Sequence, residues 1–322
     1  MQPTQLSART RWGEKPYYSL DYYLKETFGE KIYKVALDGG MTCPNRDGTL
    51  DTRGCIFCSQ GGSGEFAIKR KTSITEQINQ GIAFLQRQPK YCGKRYIAYF
   101  QSYSNTYAPI SHLRSIYMEA LKHPSVAALS IATRPDCFSP EIYELLEECN
   151  QQKPVWIELG LQTIHPATAA YIRRGYSLSV FEDTLQELQK RHIDVITHVI
   201  LGLPGESKKE ILSTIHYLNE HRIQGIKMHL LHVLKETDLE NELDQLTMYT
   251  QEEYIDVLLS CIAHLSPEIV IHRLTGDGPK DLLLAPLWSR NKRGVLNEIS
   301  HQLKLQKIYQ GCAWTDYCNI PK

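Results

Sequence analysis

The 322-residue chain has no apolar run near the roughly 20 residues that cross a bilayer, so no stretch reads as a membrane-spanning helix. It also lacks net charge, with 36 Lys and Arg against 36 Asp and Glu. Its first residues, MQPTQLSARTRWGEKPYYSLDYY, contain no apolar core of the signal-peptide kind, so a cytoplasmic location without membrane association is expected. In that compartment the nine cysteines are expected to be packed thiols or metal ligands, not disulfides. Low-complexity stretches are missing, and so is a dinucleotide fingerprint after the first strand-like run. What is present, 42% apolar and 22% charged residues, is the composition of an ordinary globular protein.

The balanced charge conceals segregation. Residues 66–95 carry seven basic side chains (Lys69, Arg70, Lys71, Arg87, Lys90, Lys94 and Arg95) against one acid, Glu76. Residues 236–258 carry eight acids and no Lys or Arg, and a second basic stretch holds Arg290, Lys292 and Arg293. Such separation can create a local field for a phosphate-rich partner, and it fits the solvated faces of helices equally well.

Short apolar runs rich in β-branched and aromatic residues predict strands at 32–37, 96–100, 126–133, 155–161, 195–201 and 225–234. Helical periodicity fills the intervals at 74–88, 110–122, 140–149, 178–191 and 208–221. Ser139-Pro140-Glu141 supplies an N-cap position, a first-turn proline and an acid for the helix dipole. Ile142, Leu145, Leu146 and Cys149 then form one buried face, which makes Cys149 a core thiol. Cys261, in line with Val257, Leu258 and Leu265, is read the same way. Alternation of this kind implies an α/β fold with a parallel sheet, a partial (β/α)6 TIM-like barrel with chemistry at the C-terminal strand ends. The expected organisation is an N-terminal segment (1–30), a core (31–235) and a C-terminal extension (236–322) with a helix at 251–264 and a strand at 269–273.

The segment after the first strand reads Asp38-GGMT-Cys43-PNRDGTLDTRG-Cys55-IF-Cys58. Two thiolates separated by two residues can converge on one metal centre, and a looped-in third makes three ligands. A cubane cluster normally takes four cysteines, so three leave one iron open, and an open position is how a metal engages a cofactor or substrate. A structural zinc site would need a fourth ligand, and no Cys or His follows promptly after Cys58. A redox CxxC would leave Cys43 without a role. Spacing alone leaves iron–sulfur, zinc and coincidence open.

This loop resembles that of radical S-adenosylmethionine (SAM) enzymes, with C-x11-C-x2-C in place of their usual C-x3-C-x2-C. A lengthened first gap is found in the branch related to the catalytic subunit of Elongator, and CPNRDGT…GCxFC resembles the YtqA/YhcC-like bacterial family. The likeness runs from Trp12 to past Trp288. It implies a radical SAM barrel whose Cys43, Cys55 and Cys58 hold a [4Fe-4S] cluster, with SAM on the fourth iron. Further stations follow from it. The second strand ends Phe100-Gln101-Ser102-Tyr103-Ser104-Asn105-Thr106, where the family contacts the methionyl amine, though the usual glycine pair is absent. Thr133-Arg134-Pro135-Asp136 is similar to an Elongator-branch motif, with Ala132 where that branch has glutamate. Gln162 and Arg174 match a pair that binds the SAM carboxylate in related coproporphyrinogen-oxidising enzymes, as a guanidinium fork and an amide can. His198 and Gly202, on the run ending GLPGE, are expected at the adenine and ribose.

The resemblance implies that SAM is cleaved to methionine and a 5′-deoxyadenosyl radical, which takes hydrogen from a substrate. An external donor such as flavodoxin or ferredoxin would supply the electron. With the basic segment, it suggests tRNA at a wobble uridine as substrate, and Tyr103, Tyr107 and Tyr171 as residues that could stack a base. A small-molecule or protein substrate, and a zinc-stabilised RNA-binding protein without catalysis, are the other readings. Cys312 and Cys318 suggest a further cluster only weakly, Cys137 reads as packed, and the stretch 272–278 is placed to line the cavity from the extension.

Overall fold

The alternation read from the sequence resolves into one parallel sheet, curled into a half-barrel, in a computed structural model that describes residues 10–62, 64, 67, 73–88, 93–276 and 278–314. Lys69, Arg70, Lys71 and Lys90 of the basic stretch, together with Asp277 and Cys318, lie outside these residues.

In chain order the elements are α1 (Leu20–Phe28), β1 (Tyr33–Leu37), α2 (Ile74–Gln86), β2 (Tyr96–Phe100), α3 (Ile110–Lys122), β3 (Val126–Thr133), α4 (Pro140–Gln152) and β4 (Val155–Gln162). There follow α5 (Pro166–Tyr171), α6 (Leu178–Lys190), β5 (Asp194–Leu201), α7 (Lys208–Glu220), β6 (Gly225–Leu230) and β7 (Val233–Leu234). The last are α8 (Gln251–His264), β8 (Val270–Arg273), β9 (Leu283–Ala285) and α9 (Lys292–Leu305). The sheet order is β1-β2-β3-β4-β5-β6-β8, every pair parallel. It therefore runs past residue 235, because β8 bonds to β6. The run expected as one strand at 225–234 breaks after Leu230, and β7 leaves to pair antiparallel with β9.

Helices cover the outer face of the sheet, where the main core gathers Phe100, Leu129, Ile157, Val195 and Met228 with the apolar stripes of the helices. Cys149 and Cys261 are fully buried there. Ser139 does occupy the N-cap position of α4, but its hydroxyl donates to Glu141 Oε2 at 2.7 Å instead of capping the backbone. Inside the half-barrel a small apolar layer of Ile97, Ala128, Trp156 and Ile196 closes the N-terminal end against Leu24 of α1. Buried Gln310 ties the two ends of the chain, accepting from Tyr18 N at 2.8 Å and donating to the Ser266 and Ile269 carbonyls. At the other end, Ile56 of the cysteine loop packs with Ile172, Ile200, Leu231 and Leu239, so the C-terminal segment roofs the barrel mouth beside the loop.

Candidate active site

The cysteine loop is folded by its own polar residues. Asn45, buried, donates to the Arg173 carbonyl at 2.8 Å and lies 3.5 Å from Cys55 Sγ. Arg46 Nη2 donates to the carbonyls of Cys58 and Ser59 at 2.6 and 2.7 Å. The Gly54 N–H donates to the Asn45 carbonyl at 2.7 Å, and Ile56 N bonds to Ile172 O at 3.2 Å. The eleven-residue gap between Cys43 and Cys55 is thus a compact fold pinned to the segment after β4. Beyond Cys58 the chain rests on Gly62, whose backbone has φ +57° and whose missing Cβ would stand 2.3 Å from the Tyr103 ring. Only glycine suits both conditions.

Cys43, Cys55 and Cys58 are free thiols on the wall of one cavity of about 280 Å³ at the C-terminal strand ends. Burial raises the Cys55 thiol and pushes that of Cys58 up to about 12, with Arg46 opposing the shift at both and Arg134 opposing it at Cys55. A metal would displace those protons, and thiolates are what iron takes. Among the described residues no three His, Cys, Asp or Glu side chains are close enough to hold a metal ion as they stand. A cubane is larger than one ion and spreads its thiolates, so the donor set fits a cluster.

Gln101, Arg134, Gln162, Arg174 and His198 line the same cavity. Gln162 holds φ +67° at a register shift between β4 and β5, a strained backbone at the strand mouth. Arg134 is locked by a bidentate pair with Asp136 at 2.9 and 2.7 Å and stacks on Tyr176. Arg174 also has a structural role that its spacing did not suggest. It donates to the carbonyls of Leu161 at 2.9 Å, Thr163 at 2.6 Å and, through Nε and Nη2, Tyr176, so its guanidinium clamps the backbone around Gln162. Ser102 and Gly202 are not brought to the cavity wall. Ser102 is buried against Gly64, and Gly202 faces the ring of Tyr249.

The hydroxyls of the tyrosines suggested for stacking are bonded to neighbouring segments, and Tyr103 lines the cavity. Tyr103 donates to the Gln60 carbonyl, Tyr107 shares a 2.8 Å bond with Thr49, and Tyr171 donates to Glu242 at 2.5 Å. Cys137 is buried, and Cys312 is exposed.

Below the strand ends lies a polar layer. Glu158 of β4, fully buried, accepts from Lys34 of β1, Lys227 of β6, Ser130 Oγ at 2.7 Å and His198 Nε2 at 2.9 Å. Burial alone would raise its carboxyl, but Lys227, Lys34 and His198 outweigh burial and hold it well below the usual range. Tyr99 lies under both lysines, each 4.7 Å from its ring centre. Burial, reinforced by Lys227, lowers His198 to about 4, so its imidazole is neutral at pH 7. Of this layer only His198 was expected as a site residue. The missed signal is a charged residue inside an apolar strand: Lys34 in YKVAL, Glu158 in VWIELGLQ and Lys227 in GIKMHL.

A half-barrel with three cysteines at its mouth defines a class. The Radical SAM superfamily model matches residues 52–218 and the Radical_SAM C-terminal domain model matches 223–305, so the chain belongs to the radical SAM superfamily and is an enzyme of that kind. It is 41% identical to YtqA of Bacillus subtilis over 92% of each chain, and 36% identical to YhcC of Escherichia coli K12 over 90% of this chain and 93% of that one. A more distant likeness, 26% over 52% of this chain, joins it to 31% of a tRNA uridine(34) acetyltransferase of Methanocaldococcus jannaschii. The solved structure of Elp3 from Methanocaldococcus infernus shares the fold, with a TM-score of 0.65 at 15% identity, covering 87% of this chain and 64% of that one.

Proposed function

We propose that Cys43, Cys55 and Cys58 hold a [4Fe-4S] cluster, that SAM binds in the adjoining cavity, and that the substrate is a tRNA. The observation that carries the cofactor reading is the meeting of three free thiols with Gln101, Gln162 and Arg134 around one cavity. Held by Cys43, Cys55 and Cys58, such a cluster, reduced by a flavodoxin or ferredoxin, would supply the electron for cleavage of SAM to methionine and a hydrogen-abstracting 5′-deoxyadenosyl radical. The chain's own part is orientation and exclusion of water. Asn45 and Arg46 hold the ligand loop, Arg174 fixes the turn that presents Gln162, and Leu231 with Leu234 forms an apolar wall. The neutral amides of Gln101 and Gln162 suit the polar end of SAM.

Support for tRNA comes from the acetyltransferase likeness and the basic composition of residues 66–95. That relative is matched over only 31% of its length, so acetyl transfer is not carried over. The test has two parts. Anaerobic reconstitution should give a brown protein with an iron-based EPR signal that releases 5′-deoxyadenosine from SAM. A triple Cys→Ala variant that kept both properties would refute the cofactor assignment. Nucleoside analysis of tRNA from cells with and without the gene should differ at a uridine; identical profiles would remove the substrate.

A further inference from the structure

The polar layer beneath the strand ends has more positive charge than it neutralises. Lys34 and Lys227 take the two oxygens of Glu158, the one carboxylate among the described residues of the layer. Arg273 of β8 is left over. It lines the cavity, forms no hydrogen bond or ion pair with any described residue, and stands opposite Lys227 in the β6–β8 register. Like charges facing each other across strands are destabilising, and a buried ionic group is readily replaced by a better-packed apolar one. Beside this pair, the buried Nε2 of His229 has no hydrogen-bond partner among the described residues, and its ring lies 5.1 Å from that of His198.

The cavity's other arginines are occupied. Arg46 and Arg174 bond to carbonyls and Arg134 to Asp136. Arg46 and Arg134 are also the cations that act on the cysteine thiols, whereas Arg273 acts on Lys227, His198 and His229. The positive charge is therefore divided between a cluster wall and a floor.

We propose that Arg273, Lys227 and His229 form an oxyanion subsite, and that the reacting end of the substrate carries a carboxylate or phosphate group seated there. The Arg273 guanidinium matches such a group, with Lys227 Nζ and the Nε2 of His229 as further polar contacts beside it. The subsite rests on the reading of this cavity as the place where the radical forms, and it narrows the substrate to one with an acidic group at its reacting end.

The test uses the anaerobically reconstituted protein, titrated with inorganic phosphate and with succinate against chloride at equal ionic strength, by calorimetry and thermal melting. At least one probe should bind saturably, and Arg273→Gln should weaken it by about tenfold or more. Arg273→Lys should weaken it less. Arg273→Gln should melt no lower than the parent, since its loss removes a like-charge contact. SAM affinity should stay within about twofold in both variants. Absence of saturable anion binding in the parent, or unchanged binding in Arg273→Gln, overturns the subsite. A parallel loss of SAM and anion also overturns it, assigning the guanidinium to the methionyl carboxylate instead. Failure of 5′-deoxyadenosine release in the parent would count against the cofactor reading alone.

Discussion

The amide nitrogen of Asn45 lies 3.5 Å from the sulfur of Cys55 while donating to the Arg173 carbonyl at 2.8 Å, so one side chain binds the ligand loop to the segment after β4 and touches a ligand. Asn45→Ala should remove the tie, leave the partly buried Arg173 carbonyl short of a donor, and cost about 1–3 kcal/mol locally. Asn45→Asp adds a negative charge beside thiolates. Iron and sulfide per chain after reconstitution should fall in both variants, and further in Asn45→Asp. Equal iron content in the parent and both variants would show that the amide has no such role.

Glu158 makes a second prediction. Glu158→Ala strands two ammonium groups in the half-barrel interior, and breaking a buried ion pair in this way costs about 3–5 kcal/mol. Adding Lys227→Met to Glu158→Ala should recover part of the loss, because one uncompensated cation is gone. Urea unfolding of the single and double variants measures this directly, and no recovery would mean that the pair does not carry the stability.

How much of this was legible before the fold was known depends on where the information sat along the chain. The sheet was readable because each strand is a short β-branched run between helical stripes; β2, β3 and α3 fall on the expected boundaries. The cysteines were readable because their spacing is local. The backbone clamp of Arg174 was not readable, because its carbonyl partners at Leu161, Thr163 and Tyr176 arise from a turn that residue spacing does not reveal. Lys34, Tyr99, Lys227 and Arg273 sit on different strands, one to each, and only the curl of the sheet assembles them. The approach of Gly202 to Tyr249 was not readable either, because the two lie 47 positions apart.

The buried histidines set a pH dependence. Burial, joined by Lys227 at His198, by His198 and then Arg273 at His229, and by Lys34 at His272, lowers all three. In the unfolded chain they titrate near 6.5, whereas in the fold His198 titrates at about 4 and the other two well below their usual value. Between these limits the unfolded state binds more protons, so stability is complete above pH 6.5 and falls as pH drops. Three such groups give a slope of at most about 4 kcal/mol per pH unit. Loss of the carboxylate charge of Glu158 acts in the same direction at lower pH. Chemical denaturation between pH 7.5 and 5 should show the decline, with His198→Gln reducing its steepness; a flat profile would contradict the buried neutral imidazoles.

Gly62 against Tyr103 is the contact that seats the loop on the barrel. A methyl group at Gly62 would meet Tyr103 Cδ1 at 2.3 Å, and the backbone there has φ +57°, which L side chains rarely adopt. Tyr103 cannot easily yield, because its N–H donates to the Gly62 carbonyl at 2.9 Å and its hydroxyl donates to the Gln60 carbonyl. Gly62→Ala should therefore displace the loop downstream of Cys58, at a cost of about 1–3 kcal/mol from overpacking and strain together. The thiol of Cys58 moves with that loop, so cluster occupancy should drop more than global stability does. Pairing the change with Tyr103→Ala removes the collision but not the φ strain. Iron content should rise partway in Gly62→Ala/Tyr103→Ala relative to Gly62→Ala alone. If the double variant is no better than the single one, the strained backbone, and not the ring, controls where Cys58 sits.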